Sequence, residues 1–159
     1  MIFITVGTQK FQFNRLLKTI DNLIENKDIV DKVICQAGYS TYSPRNYKTI
    51  KFMSQSEYNQ NIKNCELLIT HAGVGTILEA KKNNKTVIVV PRLKKYNEHV
   101  DDHQQQIAYG FSKKEIVLES DCLNLKSVLD KAQEIRLKEY KFNNKVFIHK
   151  LNDILDGME

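Results

Sequence analysis

The sequence predicts an α/β fold: a Rossmann-like, doubly wound parallel sheet of about six strands. Two observations carry this prediction. From the first residue onward, short apolar runs alternate with segments whose apolar residues recur every three or four positions, and this alternation is typical of a parallel sheet with crossover helices. One of the runs, TVIVV at 86–90, is almost wholly apolar, as strands covered on both faces are.

The predicted elements follow one another without a linker or an internal repeat. The expected strands are MIFITV (1–6), KVICQA (32–37), YKTIKF (47–52), ELLIT (66–70), TVIVV (86–90) and KEIVLE (114–119). The expected helices between them are FNRLLKTIDNLIEN (13–26), SQSEYNQNIKNC (54–65), TILEAKKNN (76–84) and HVDDHQQQIAYGF (99–111). Helical spacing places five apolar residues of the first helix on one face: Leu16, Leu17, Ile20, Leu23 and Ile24.

The chain after Asp121 is predicted to be helical to its end. Apolar residues there recur at three- and four-residue spacing in LKSVLDKAQEIRLKEY (125–140) and KFNNKVFIHKLNDIL (141–155). We therefore expect one domain over residues 1–159, with 122–159 as a helical tail. Such a tail either covers the sheet or holds a partner domain, and the sequence leaves both open.

Composition limits the classes of protein to consider. The 159 residues are 42% hydrophobic and 27% charged, which is ordinary for one globular domain that buries roughly 70% of its unfolded surface. The cysteines Cys35, Cys65 and Cys122 form no C-x-x-C pair, so we expect neither disulfides nor a zinc site, and a cytoplasmic location fits. No apolar run approaches the roughly 18 residues of a membrane span, and we expect no leader peptide.

Positive charge is concentrated in one stretch. The net charge is +5, and the densest run is KKNNKTVIVVPRLKK at 81–95. This run is either a solvated helix end and strand exit or a surface that attracts anionic lipid or substrate. Because neither an RNA-binding signature nor an array of aromatic residues accompanies the charge, nucleic acid is not an expected partner.

Three loops are expected to form the site, because ligands of a doubly wound sheet bind beyond the carboxyl ends of its strands. They are GTQK (7–10), HAGVG (71–75) and PRLKKYNEHVDDHQQQ (91–106). In the second, Gly73 and Gly75 let the backbone approach a ligand, and a helix that begins near Thr76 would leave the amides of residues 74–77 unpaired. Such a helix end attracts a diphosphate without a lysine or a metal ion.

Two commoner nucleotide motifs do not fit this loop. A dinucleotide fingerprint needs a third glycine where Leu78 stands, and no Walker lysine follows. Thr76 and Glu79 have the spacing of a capping box, in which each side chain bonds the other's backbone amide. Alternatively, Glu79 accepts hydrogen bonds from the two hydroxyls of a ribose. Spacing alone leaves these two explanations equal.

The segment around His99 offers a metal site or a sugar site. His99 and His103 lie four residues apart, with Asp101 and Asp102 between them, but no third ligand stands at a suitable spacing, so a metal site is not favoured. The alternative is a helix that begins after Asp101 or Asp102, with Gln104 and Gln105 facing the crevice. Their amides donate and accept hydrogen bonds, as recognition of sugar hydroxyls requires.

These motifs together resemble a known family. ITHAGVGTILEA (69–80), followed by VIVVPRLKKYNEHVDDHQQQIA (87–108), resembles the C-terminal, donor-binding half of GT-B glycosyltransferases of the family 28 type. The resemblance runs from the first strand to about Phe111. It is closest to the small catalytic subunits of split enzymes, those of bacterial capsule and exopolysaccharide synthesis and of the eukaryotic dolichol-linked N-acetylglucosamine transferase.

The resemblance implies a set of binding residues and no metal ion or other cofactor. The implied diphosphate site is Gly7, Thr8, Gly73, Val74, Gly75 and Thr76, with Glu79 at the ribose. The implied uracil pocket contains Phe52 and Met53, and the implied donor-sugar site contains Asp102, Gln104 and Gln105. The general base is expected from a partner; the weaker candidates in this chain are His71, His99 and Asp102.

The implied reaction is transfer of a sugar, with inversion, from a UDP-sugar to a hydroxyl of a lipid-diphosphate-linked sugar. The chain would act beside a membrane-anchored, acceptor-binding subunit at the cytoplasmic face of the membrane, and the likeness of VPRLKKYNEHVDDHQ (90–104) to capsule enzymes points to galactose. The alternative is a non-catalytic UDP-sugar-binding module. Five tail residues would face the partner unless they are core: Phe142, Val146, Phe147, Leu151 and Leu155.

Overall fold

All six strands run parallel in one sheet, in the order β3-β2-β1-β4-β5-β6. The computed structural model describes residues 1–139. The strands are β1 Ile2–Thr5, β2 Val33–Gln36, β3 Thr49–Ile50, β4 Leu67–Thr70, β5 Thr86–Val89 and β6 Leu118–Glu119. The predicted doubly wound α/β fold with six parallel strands is confirmed.

Helices cover both faces of the sheet. They are α1 Asn14–Glu25, α2 Gln55–Asn64, α3 Val74–Lys82, α4 His103–Lys113 and α5 Leu125–Glu134, with a 3₁₀ turn at Lys94–Tyr96. Residues of α1 and α5 pack with Ile2 and Ile4 of β1 on one face. Residues of α2, α3 and α4 pack with Phe3 on the other face. Successive residues of a strand point to opposite faces, so the apolar runs of the sequence supply both cores.

The two edge strands are shorter than expected. KEIVLE was predicted as a strand over 114–119, but only Leu118–Glu119 pairs with β5. The preceding residues close the end of α4 instead: the amide of Glu115 bonds the carbonyl of Ser112, and the amide of Ile116 bonds that of Phe111. Ile116 and Val117 are buried all the same, so their apolar character reflects packing against α4 rather than strand pairing.

The first part of the tail belongs to the core. Leu125, Val128 and Leu129 of α5 are buried against β1, β5 and α1 residues. The helix ends at Glu134 rather than continuing to 140, and residues 135–139 are not helical. The five residues expected to face a partner, from Phe142 to Leu155, lie outside the described residues. None of the helices within residues 1–139 is long and apolar enough to cross a membrane.

The strand order reverses between β1 and β4, which are neighbours in the sheet although two helices and two strands separate them in sequence. In open α/β sheets the crevice at such a switch point is the usual ligand site. Thr5 and Thr70 are paired at its edge. The loops that follow them therefore start side by side, and the sheet brings Gly7 and the 71–75 loop together.

Candidate functional site

The N-terminus of α3 opens at this switch point. The helix begins at Val74, with Gly73 as the capping residue and no side chain bonded to the cap. The amides of Val74, Gly75 and Thr76 have no acceptor within residues 1–139, whereas the Ile77 amide donates to the Gly73 carbonyl at 3.1 Å. The helix thus starts two residues earlier than expected and presents three unpaired amides rather than four. Together with the helix dipole they favour an anion.

The capping-box explanation for Thr76 and Glu79 is wrong. A capping box requires the threonine at the capping position, but Gly73 occupies it and Thr76 is the third residue of the helix. The Thr76 hydroxyl is bonded instead to the hydroxyl of Tyr58, at 3.1 Å. The half-buried Glu79 side chain has no hydrogen bond or ion pair within residues 1–139. Its carboxylate is therefore available to a ligand.

His71 fills the space between the two glycine loops. A methyl group built on Gly7 would lie 2.6 Å from His71 Nε2, and one built on Gly73 would lie 2.4 Å from Cε1. Any side chain at either position would displace the ring. Gly7 also has φ of +80°, a conformation that other residues adopt at a cost. The two glycines are therefore required by the histidine they enclose, a constraint that the sequence pattern alone did not reveal.

His71 is neutral and its Nε2 carries the proton. Gln104 Oε1 accepts hydrogen bonds from the amides of Ala72 and Arg92, at 3.2 and 2.9 Å, so its Nε2 is a donor to His71 Nδ1, 3.2 Å away. Burial, and then the charge of Arg92, lower the His71 pKa to about 3. A group with this pKa is a weak general base near neutral pH. It can instead donate a hydrogen bond from Nε2, beside the free amides of α3.

We expect this histidine to make stability depend on pH. An unfolded histidine has a pKa of about 6.5. Between about pH 6.5 and pH 3, His71 is therefore protonated in the unfolded chain but neutral in the folded protein. Lowering the pH from 7 to 5 should therefore cost about 2 kcal/mol of unfolding free energy. Urea unfolding at both pH values measures this loss.

Two variants assign that loss to His71. His71→Asn should remove most of the pH dependence, because the amide does not titrate. His103→Asn should keep it, since His103 is exposed. If the unfolding free energy changes equally with pH in the unmodified protein, His71→Asn and His103→Asn, His71 titrates normally in the folded state.

The expected sugar-binding residues are separated by the structure. Gln104 is 4% exposed, and its Oε1 joins the 71–75 loop to the residues after β5 by accepting the amides of Ala72 and Arg92. Gln105 is exposed but lines a different cavity of about 350 Å³, together with Pro91 and Ser120. Asp102 is exposed, and its Oδ1 accepts the amide of Lys94 at 2.9 Å.

His99 is not on a helix, since α4 begins at His103. Asp101 lies between the two histidines: its Oδ1 is 3.0 Å from His99 Nδ1 and accepts the His103 amide, also at 3.0 Å. That amide bond, followed by the nearby histidines, holds the Asp101 pKa below its usual range. The two histidines therefore share one carboxylate, and no group of three metal-binding side chains forms within residues 1–139.

A buried charged cluster that the sequence pattern does not predict supports the crevice. Arg92 and Glu98 are both fully buried. Arg92 donates to the carbonyls of Val6, Phe11 and Glu98, while the Glu98 carboxylate binds Arg15 through two nitrogens at 2.9 and 3.0 Å. Arg92 thus joins the loop after β1 to the loop after β5. The available signal in the sequence was that only Pro91 separates Arg92 from the apolar run at 86–90, and an arginine that is buried there needs a partner.

The expected uracil residues lie at the β3 end of the same sheet edge. The Met53 amide donates to the buried Gln36 side chain at 2.9 Å. Phe52 is 46% exposed and packs edge to face with the exposed ring of Tyr39, their centroids 5.2 Å apart. An exposed aromatic pair beside a nucleotide site is suited to stacking on a base. Tyr39 therefore joins Phe52 and Met53 as a candidate for the base.

Comparison with known proteins decides the family. The sequence profile of the glycosyltransferase family 28 C-terminal domain matches residues 1–158, nearly the whole chain. The chain belongs to this family. The resemblance inferred from the loop and the EHVDDHQ segment is thereby confirmed.

Relatives of this family 28 domain include larger proteins. It is 32% identical over 76 residues to the UDP-N-acetylglucosamine transferase subunit ALG13 of Candida albicans, covering 48% of this chain and 25% of that protein. It is 29% identical over 105 residues to human ALG13, covering 62% of this chain and 9% of that protein. The chain thus spans a quarter or less of these two relatives.

One solved structure supports the fold over nearly the full length of both chains. The NMR solution structure of ALG13 superposes on this family 28 domain with a TM-score of 0.60 and 22% identity, covering 94% of this chain and 93% of that one. At this identity the likeness concerns the fold. The names of the relatives give no support to galactose or to capsule synthesis, which the sequence analysis had favoured.

Proposed function

We propose that this family 28 domain is the donor-binding, catalytic subunit of a two-component inverting glycosyltransferase that uses a UDP-sugar. The observation that carries the proposal is the N-terminus of α3, where three free amides and the Nε2–H of His71 meet at the switch point. Donors preorganised in this way stabilise the negative charge that develops on a leaving diphosphate. No metal ion is needed in this mechanism.

The position of Glu79 supports a nucleoside diphosphate rather than a free phosphate. Glu79 lies four residues after Gly75 on α3, so the two share a face and are about 6 Å apart along the axis. That separation suits a ribose attached to the bound diphosphate. The aromatic pair of Tyr39 and Phe52 then lies on the same edge for the base.

The acceptor half of the reaction is assigned to a partner. We propose that a membrane-anchored subunit binds the lipid-diphosphate-linked sugar and supplies the general base, with this chain peripheral at the cytoplasmic face of the membrane. The low pKa of His71 supports this division, because it leaves the best-placed histidine as a hydrogen-bond donor. The names of both relatives contain the word subunit, in keeping with the proposal.

Glu79→Ala should weaken UDP binding tenfold or more and leave pyrophosphate binding unchanged. A carboxylate bonded to neutral hydroxyls contributes about 1.5–3 kcal/mol, and pyrophosphate has no ribose. Calorimetric titration of UDP and of pyrophosphate measures the two affinities. Repeating the titrations with a chelator tests whether binding needs a metal ion. Glu25→Ala, at the end of α1, is the matched control. Equal losses for both ligands would show that Glu79 does not act through the ribose, and chelator-sensitive binding would contradict the metal-free mechanism.

A transfer assay identifies the donor. Membranes that contain the partner are combined with the chain and radiolabelled UDP-galactose, UDP-glucose, UDP-glucuronate or UDP-N-acetylglucosamine. The sequence favours galactose, whereas the relatives' names favour N-acetylglucosamine. We expect one donor to label a lipid product only when both subunits are present. UDP binding without transfer from any donor would favour the non-catalytic module.

A further inference from the structure

Tyr58 reaches from α2 to the candidate diphosphate site. Its hydroxyl lies 3.1 Å from Thr76 Oγ1 in the first turn of α3. Its ring packs edge to face on the buried ring of Phe3 in β1, with the centroids 5.8 Å apart and the planes at 72°. The phenol is therefore held by the core at one end and meets the ligand-binding helix at the other.

We propose that Tyr58 is a positioning residue for the diphosphate, which orients the Thr76 hydroxyl so that its hydrogen points at the ligand. This inference rests on the proposed function of the α3 crevice. A threonine hydroxyl has one hydrogen to donate and two lone pairs that accept. When Tyr58 donates to one lone pair, the hydrogen of Thr76 stays available for a phosphate oxygen, which can only accept.

Without Tyr58 the same hydroxyl has a competing partner. A threonine in the first turn of a helix can turn its hydrogen back to the carbonyl three residues earlier, which here belongs to the capping residue Gly73. A bond received from Tyr58 opposes that rotation and also polarises the O–H, because hydrogen bonds in a chain strengthen one another. Tyr58 therefore acts through Thr76 and does not need to touch the diphosphate.

The surroundings of Tyr58 keep it a donor. Burial, the largest cause, and the charge of Glu79 raise the pKa of the phenol, partly offset by the bond to Thr76. The hydroxyl therefore keeps its proton at neutral pH.

A double-mutant cycle tests the assignment. Tyr58→Phe removes only the hydroxyl and keeps the ring on Phe3. We expect it to weaken binding of UDP and of pyrophosphate alike, by about tenfold, and to have no more than a twofold effect when Thr76 is already valine. Thr76→Ser, which retains the hydroxyl, should keep the sensitivity to Tyr58→Phe. Calorimetric titration gives the affinities, and thermal unfolding reports the stability of each variant.

The matched control is Tyr47→Phe, which removes the hydroxyl that bonds the Leu17 carbonyl at 2.8 Å, outside the crevice. It should lower the melting temperature without changing UDP affinity. The positioning role is overturned if Tyr58→Phe weakens UDP binding by the same factor whether residue 76 is threonine or valine. It is also overturned if Tyr58→Phe leaves UDP affinity unchanged. In both cases the proposed function stands. If the unmodified chain binds neither UDP nor pyrophosphate, both are overturned.

Discussion

Gly75→Asp should leave the protein folded, raise its melting temperature slightly and abolish binding of UDP. A methyl group built on Gly75 meets no atom within 4 Å, so a side chain fits without displacement. In the first turn of α3 a carboxylate interacts favourably with the helix dipole, by about 0.3–1 kcal/mol, and a residue other than glycine also favours the helix. The same carboxylate occupies the space of the diphosphate and repels it, so we expect at least a hundredfold loss of affinity.

Two controls separate charge from stability in this experiment. Gln55→Asp places the same carboxylate at the start of α2, where it should raise stability without changing UDP affinity. Gly75→Ala should show the effect of bulk alone and give an intermediate loss. Calorimetry supplies melting temperatures and affinities together. A Gly75→Asp protein that is stable and still binds UDP would move the ligand away from this helix end.

The architecture could be predicted from the sequence because the periodicity of apolar residues determines it. The run at 86–90 became an interior strand between β4 and β6, buried on both faces. The helix at 14–25 buried four of the five apolar residues that its period selected, and the fifth, Ile24, is partly buried against the same core. The residues at 114–117 were misassigned for a physical reason. Apolar residues that close a helix end are as buried as strand residues, so their composition is the same and only the hydrogen-bond pattern differs.

The site was predictable where it depends on the backbone. Glycines before a helical pattern indicated the free amides of α3, and only the first residue of the helix was misplaced. Whether Glu79 caps the helix or serves a ligand depended on that first residue, which spacing does not give. The sequence indicates that Gln104 is polar and near the crevice, but its contacts with Ala72 and Arg92 join the loops that follow β4 and β5. Such contacts join residues distant in sequence, and one sequence carries no signal for them.

The crevice combines neutral donors at its surface with charge beneath it. His71 and the α3 amides are uncharged donors at the switch point, whereas Arg92 and Glu98 are buried behind the loops and Arg15 is partly exposed beside them. Arg92 keeps a positive charge near neutral pH even though burial lowers its pKa to about 10. A cation fixed behind neutral donors adds to their attraction for a diphosphate and depresses the His71 pKa. The cluster therefore serves both the geometry and the charge of the site.

Glu98→Ala should be among the most destabilising single changes in this protein. The Glu98 carboxylate is fully buried and accepts from two nitrogens of Arg15 and from the Leu93 amide at 3.0 Å. Its removal leaves Arg15 and the buried Arg92 without their counter-charge, and breaking a buried pair in this way costs about 3–5 kcal/mol. We expect urea unfolding to show that loss, and the melting temperature to fall by about 10 °C.

Substitution of an exposed glutamate is the control for Glu98→Ala. Glu66 is 83% exposed and stands 3.8 Å from the N-terminal amine, so Glu66→Gln should cost less than about 1 kcal/mol. Because Arg92 joins Val6 and Phe11 to the loop that carries Glu98, Glu98→Ala should also weaken UDP binding at temperatures where the protein is still folded. A loss of stability as small as that of Glu66→Gln would mean that the two arginines are satisfied by backbone carbonyls alone, and that the loops after β1 and β5 do not depend on the carboxylate.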